Sequence, residues 1–366
     1  MRAISLYVHV PFCKRRCSYC TFYHTPFIDT YETAFVEALV REFEETAAKL
    51  DQPFCCPTVY FGGGTPSVLS RDSLDKIFGA ISSYVAPDGV EITFETNPDD
   101  VTEELVSGLR AHGVNRLSVG IQSMDAGALK ILKRCTVTVN ERAIDMVRGY
   151  FDNFSVDVLL GVPDGSRAGL GRTLARVLDW DVPHVSVYCL EPGGVMGSEV
   201  KEFLDRVDGE RSAEEYLYVC ERLRARGYQH YEISNFAKPG CESRHNRVYW
   251  QGEDYLGLGP AAHSYIDGER SHNEASIERY VSAAPGGAAS TRHPEVRGPE
   301  QRRLEALMLA LRTDRGLPVD HLESARSEIE ALVAGSLARI VDDRLLLTDR
   351  GFLVMNDIVL RLCEAS

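Results

Sequence analysis

Six short runs rich in β-branched and aromatic residues recur in the first half of this 366-residue chain: Leu6–Val10, Thr58–Phe61, Glu91–Phe94, Arg116–Val119, Phe154–Leu160 and His184–Tyr188. Longer segments with a 3.6-residue apolar period separate them. Phe35, Leu39 and Phe43 repeat on one face of the first such segment, where Asp29 and Glu32 are spaced as a capping box. Ser70 is placed to cap a second helix and Thr102 a third. Six strand–helix units in series predict an α/β fold with a parallel sheet buried on both faces. Right-handed crossovers leave such a sheet open or curl it into a partial (β/α)6 barrel. In both cases chemistry belongs at the C-terminal strand ends.

The loop after the first run reads Pro11-Phe-Cys13-Lys-Arg-Arg-Cys17-Ser-Tyr-Cys20, three thiols at CxxxCxxC spacing. Thiolates are soft ligands for zinc, Cu(I) or iron–sulfur clusters. A closed zinc site wants a fourth ligand, for which His9 or His24 is the nearest choice. Three cysteines also suit a [4Fe–4S] cluster with one iron left open, and Lys14, Arg15 and Arg16 supply charge that favours thiolates and an anionic cluster. Seven further cysteines are scattered through apolar or loop contexts and read as small core residues. The N-terminus carries no signal-peptide pattern, which leads us to expect a cytoplasmic protein without disulfides.

Unusual residues recur at the later strand ends. Gly62-Gly63-Gly64-Thr65 offers close backbone approach and free polar groups, although strand-to-helix turns also use glycine. Glu95 ends the third run and can either hold ribose hydroxyls or cap a helix. Gln122 ends the fourth, Arg134 follows it, and Asp157 stands between Val156 and Val158, where a buried carboxylate needs a partner.

The cysteine motif, with Tyr19 before its last thiol, resembles the radical S-adenosylmethionine (SAM) superfamily. That resemblance implies SAM chelated to the open iron and reductive cleavage to a 5′-deoxyadenosyl radical. From Tyr7 through Ser264 the chain resembles the oxygen-independent coproporphyrinogen III oxidase family. The resemblance places SAM contacts at Tyr7, Tyr19, Gly63, Gly64, Thr65, Glu95, Gln122, Arg134 and Asp157. Two departures point to a shorter, haem-handling branch, the HemW-type haem chaperones. Phe22 stands where the oxidases carry a fourth cysteine, and only twelve residues precede Cys13. The run His245-Asn-Arg-Val-Tyr249-Trp250 matches the HNxxYW motif of that branch. His245 is then an axial ligand for haem iron, with Tyr249 and Trp250 as a porphyrin surface. The other reading is a packed loop, with His9, His24, His230, His263 or His272 serving iron instead.

The resemblance implies haem as cargo, acceptor haemoproteins (respiratory ones at the inner membrane face), an electron donor and scope for a homodimer. Its alternative is radical oxidative decarboxylation of coproporphyrinogen III. A net charge of −14 argues against nucleic acid as partner. We expect a barrel core over 1–226, an extension carrying HNxxYW over 227–282, and a C-terminal α+β, winged-helix-like unit over 283–366. Within these, a helix is expected over 213–226, a strand over 231–234, a small-residue linker at 283–290, helices near 300–312 and 325–339, a hairpin at 340–347 and a last helix after Thr348.

Overall fold

The computed structural model describes residues 1–50, 52–190, 198–283 and 292–365. All six expected runs are strands: β1 (Ser5–Val10), β2 (Thr58–Gly63), β3 (Glu91–Thr96), β4 (Arg116–Gln122), β5 (Phe154–Leu160) and β6 (His184–Cys189). They pair in parallel and in sequential order. Every residue of β4 is buried, as a strand covered on both faces requires. Between them run α1 (Asp29–Lys49), α2 (Arg71–Ile81), α3 (Glu103–Ala111), α4 (Ala126–Ile131), α5 (Val137–Tyr150) and α6 (Arg167–Asp179).

The sheet does not stop at six strands. After α7 (Ser198–Leu204) and α8 (Gly209–Arg224), an antiparallel hairpin of β7 (Gln229–Glu232) and β8 (Asn235–Ala237) joins β6. The single strand expected at 231–234 is therefore the end of β7 and the turn that follows it. After α9 (Arg244–Gln251), strand β9 (Tyr255–Leu258) pairs in parallel with β1 on its free side. Strands β10 (His263–Ile266), β11 (Glu269–Asn273) and β12 (Arg292–Pro294) extend that edge antiparallel. The order is β7-β8-β6-β5-β4-β3-β2-β1-β9-β10-β11-β12, an open sheet with a parallel centre.

Helix α10 (Ile277–Ser282) precedes the run read as a linker, which lies outside the described residues apart from Ala283. Beyond it come α11 (Pro299–Leu311), a short strand β13 (Leu317–Pro318), α12 (Arg326–Ala334), the hairpin β14 (Ala338–Val341) and β15 (Arg344–Leu347), then α13 (Asp349–Leu353) and α14 (Met355–Glu364). The helix expected to reach 339 ends at Ala334, because Gly335 follows and Ser336 takes a left-handed φ of 57°. The last helix is broken at Val354, whose backbone leaves the helical region.

Ser70 and Thr102 cap as expected, accepting from Ser73 N and Leu105 N. Asp29 does not. Helix α1 begins after Ile28 with no side-chain cap, and Glu32 instead accepts from Ser70 N at 2.7 Å, fastening α1 to the start of α2. Phe35, Leu39 and Phe43 face the core, but so does Glu42, which is fully buried. Its Oε1 accepts from Asn273 Nδ2 at 2.6 Å and Arg292 Nη2 at 3.1 Å. Its Oε2 accepts from the Tyr280 hydroxyl at 2.6 Å and Gly259 N at 2.9 Å. One carboxylate thus ties α1 to β9's end, β11, α10 and β12. Glu42→Ala is expected to strand Arg292 and three donors, and to cost about 3–5 kcal/mol in denaturant unfolding. A loss below about 1 kcal/mol would show that the network contributes little.

Candidate functional site at the strand ends

The cysteine loop leaves β1 at Val10 and returns through paired backbone: Thr25 N donates to Pro11 O at 2.7 Å and Phe27 N to Cys13 O at 3.0 Å. The buried Phe12 ring, edge-on to Phe27 and Phe35, anchors the loop base to α1. Two of the three basic residues expected to act on the thiols are turned to acids. Lys14 pairs with Asp100 at 2.7 Å and Arg15 with Asp99 at 3.0 Å, so their charge pins the loop to the rim after β3. The cations that act on the thiols are Arg16, whose charge reaches Cys20, and Arg134, whose Nη1 lies 3.5 Å from Cys17 Sγ.

A cavity of about 430 Å³ opens at the C-terminal ends of β2–β6. Cys13, Cys17, Cys20, Tyr19, Gly63, Gly64, Thr65, Glu95, Gln122, Arg134 and Asp157 all line it, from six separate stretches of chain. Tyr7 does not line it. Its hydroxyl meets His9 Nδ1 at 3.0 Å instead. Phe22 is 70% exposed at the cavity mouth.

The glycines are required by their neighbours. Gly63 has φ +107°, and a Cβ there would lie 2.6 Å from the His9 ring. At Gly64 a Cβ would fall 2.7 Å from Phe12 O, while Gly64 N donates to Val10 O at 2.8 Å. Only bare backbone lets the end of β2 lie against the cysteine loop. Gln122 also adopts a left-handed φ, 64°, where the β4–β5 register shifts. Asn97, not singled out from the sequence, joins three loops: its Oδ1 accepts from Arg134 Nη2 at 2.7 Å and its Nδ2 donates to Thr65 Oγ1 at 3.0 Å. Thr65 Oγ1 in turn lies 3.4 Å from Cys13 Sγ. The position of Asn97 immediately after β3 was the available signal.

The donors suit a cluster and a zwitterionic nucleoside. Among the described residues, the trios whose ligand atoms all lie within 4.8 Å of one another, as a single zinc ion would require, do not include the three cysteines. Burial raises Cys13 to about 11, a cost that bonding to metal removes. Arg134 Nε is buried without a partner. In the same lining Asp157 accepts from Ser118 Oγ at 3.2 Å, and burial raises its carboxyl. Glu95 accepts from the Tyr60 hydroxyl at 2.6 Å. Burial, reinforced by Asp157, lifts Glu95 to about 7 against the opposing pull of Tyr60.

The HNxxYW segment is a helix, α9, capped by Ser243 and closed by Gly252 at φ 63°. Its histidine is no open ligand. His245 is fully buried, with Nδ1 against Thr58 Oγ1 at 2.7 Å, Nε2 against the Tyr249 hydroxyl at 2.8 Å, and its ring over Tyr60. Both nitrogens are engaged, so His245 braces α9 on β2, and an axial role would require it to leave Thr58 or Tyr249. Tyr249 and Trp250 instead line a second cavity, of about 430 Å³, together with Tyr255 and Tyr265. Arg270, Arg297, Arg302, Arg315 and Arg344 also line it, against the single acid Glu305. Trp250 carries the Arg312 guanidinium 4.2 Å from its ring centroid, and its Nε1 is buried without a partner. Of the other histidines, His9 is buried between Tyr7 and Tyr23, and His230 is paired with Asp349 at 2.9 Å.

Because the folded chain holds the Glu95 proton more tightly than the unfolded one, its contribution to stability is complete below the ordinary carboxylate range and is lost as pH rises through about 7. Glu95→Gln stays neutral throughout. It is expected to flatten the decline in unfolding free energy of the ligand-free protein between about pH 5 and about pH 8 by roughly 1–3 kcal/mol. An unchanged pH slope would mean that Glu95 is ionised in the fold.

Residues 7–177 match the radical SAM superfamily model. The chain is 31% identical to the haem chaperone HemW of Lactococcus lactis over 96% of its own length and 93% of the relative's. It is 36% identical to that of Bacillus subtilis, over 86% and 84%. Its fold is similar to that of the coproporphyrinogen III oxidase HemN of Escherichia coli, with a TM-score of 0.82 over 99% of this chain and 90% of that one, at 19% identity. The six-stranded parallel core, the thiols at its rim and these likenesses agree: the chain belongs to the HemW-type family of radical SAM proteins.

Proposed function

We propose that this chain is a haem chaperone, which binds haem and passes it to acceptor haemoproteins from a scaffold holding a [4Fe–4S] cluster and SAM. The observation that carries the haem assignment is the cavity beside α9. It offers the aromatic faces of Tyr249, Trp250, Tyr255 and Tyr265 and a surplus of guanidinium groups in a chain of net charge −14. A planar apolar macrocycle with two carboxylates matches that combination of flat surface and fixed cations. HemW of Lactococcus lactis and Bacillus subtilis supports the same reading.

At the strand ends, Cys13, Cys17 and Cys20 would hold the cluster, whose chemistry when bound would be one-electron reduction of the SAM sulfonium. The protein's own part is positioning. Asn97 fixes Arg134 beside Cys17 and Thr65 beside Cys13. Glu95 and Asp157 line the cavity as hydrogen-bond acceptors, and the backbone of Gly63 and Gly64 admits close approach. The alternative, oxidation of coproporphyrinogen III, draws on the same wall, but exposed Phe22 replaces the fourth cysteine of the oxidase pattern.

Two experiments test this. In Cys17→Ser, reconstituted anaerobically, the iron–sulfur absorption and electron paramagnetic resonance signal should be lost, and unchanged iron content would refute the cluster assignment. In hemin titrations, Trp250→Ala and the exposed Arg302→Glu should each weaken binding about tenfold or more, roughly 1.4 kcal/mol. Unaltered affinity in both would place haem elsewhere, and efficient protoporphyrinogen production without hemin binding would favour the oxidase reading.

A further inference from the structure

A row of histidines crosses the far edge of the sheet, outside the lining of both cavities. His263 on β10 pairs in register with His272 on β11, and His272 with His293 on β12. Directly paired residues share a face, and the rings stand side by side with centroids 5.5 Å apart at each step. Glu295, one residue past β12, reaches back to this row. Its Oε1 lies 3.4 Å from His263 Nδ1 and 3.5 Å from His272 Nδ1.

These separations are long for hydrogen bonds, and His272 Nδ1 is buried without a hydrogen-bond partner. They match the ligand-to-ligand edge of a tetrahedral site, about 3.3–3.4 Å when each ligand sits roughly 2.0–2.1 Å from the ion. The three ligand atoms lie within 4.8 Å of one another. The other trio of that kind, Cys220, His230 and Asp349, differs because the Arg224 guanidinium already occupies Asp349. Among the described residues no lysine or arginine is paired with Glu295 in the same way.

We propose that His263, His272 and Glu295 form a binding site for a divalent transition-metal ion of the zinc class. Two imidazoles and one carboxylate leave a position open to solvent, since His263 and His272 are both exposed in part. His293 and its neighbour Glu274, 3.7 Å from His293 Nε2, flank it. Ligands on β10, β11 and the segment after β12 would be tied by one ion, clamping the outermost strand to the sheet.

The test is calorimetric titration of Zn²⁺ into the untagged, cluster-loaded protein, so that Cys13, Cys17 and Cys20 are already occupied. One equivalent per chain is expected, with affinity reduced at least tenfold in both His263→Ala and Glu295→Gln and with the cluster absorption unchanged. The zinc-induced rise in melting temperature should disappear in the same variants. Absence of zinc binding by the parent protein, or equal affinity in parent and both variants, would overturn the proposal. So would a parallel loss of hemin binding without any zinc binding, which would assign these histidines to haem iron.

Discussion

Strand β1 is hydrogen-bonded in parallel on both sides, to β2 through Leu6↔Val59 and its successors and to β9 through Leu256↔Leu6. Leu6, Val8 and Val10 are fully buried on one face, and on the other Ser5 and His9 are buried with Tyr7 half-buried between them. Its C-terminal end can only emerge at the rim, and the cysteine loop emerges there. Both neighbours must come close to that end. Gly63 and Gly64 do so from β2, and from the other side Gly259, at φ +97°, has no room for a Cβ beside His9 O. The rim, the loop and the extension are therefore one packing problem solved by bare backbone around a single strand.

Charge is sorted on the same plan. The strand-end cavity is lined by two half-buried carboxylates and one half-buried guanidinium, held by neutral partners: Tyr60, Ser118 and Asn97. The cavity beside α9 is rich in arginine, although Arg270 and Arg297 share Glu305 and Arg344 donates to the Gly316 carbonyl. Buried charges so arranged are costly to assemble and therefore specific about what replaces their water. Glu42 plays the corresponding structural part, a fully buried carboxylate whose four donors come from four different segments.

Much of this was legible in advance, for identifiable reasons. Parallel strands buried on both faces appear as unbroken apolar runs, so all six core strands were found, and Phe154–Leu160 to the residue. Caps at Ser70 and Thr102 are local, needing only the hydroxyl and the next turn. The cap at Asp29 failed because Glu32 is drawn to Ser70, 38 residues away, a partner no local pattern contains. Lys14 and Arg15 were misjudged for the same reason, since Asp99 and Asp100 lie more than 80 residues downstream. His245 looked like a ligand because a histidine in a motif carries no mark of burial, and only the fold puts Thr58 and Tyr249 on its two nitrogens.

The parallel core, the three thiols after its first strand and the polar residues at its strand ends follow from local period and spacing, and so are written in the sequence. Which charges meet follows from the packed fold. It turns Lys14 and Arg15 toward acids, leaves Arg134 beside Cys17, encloses His245, and gathers arginines from positions 270 to 344 around Trp250. Side-chain partners far apart in the chain are chosen by where the strands and helices bring them, and that choice is made by packing rather than by neighbours in sequence.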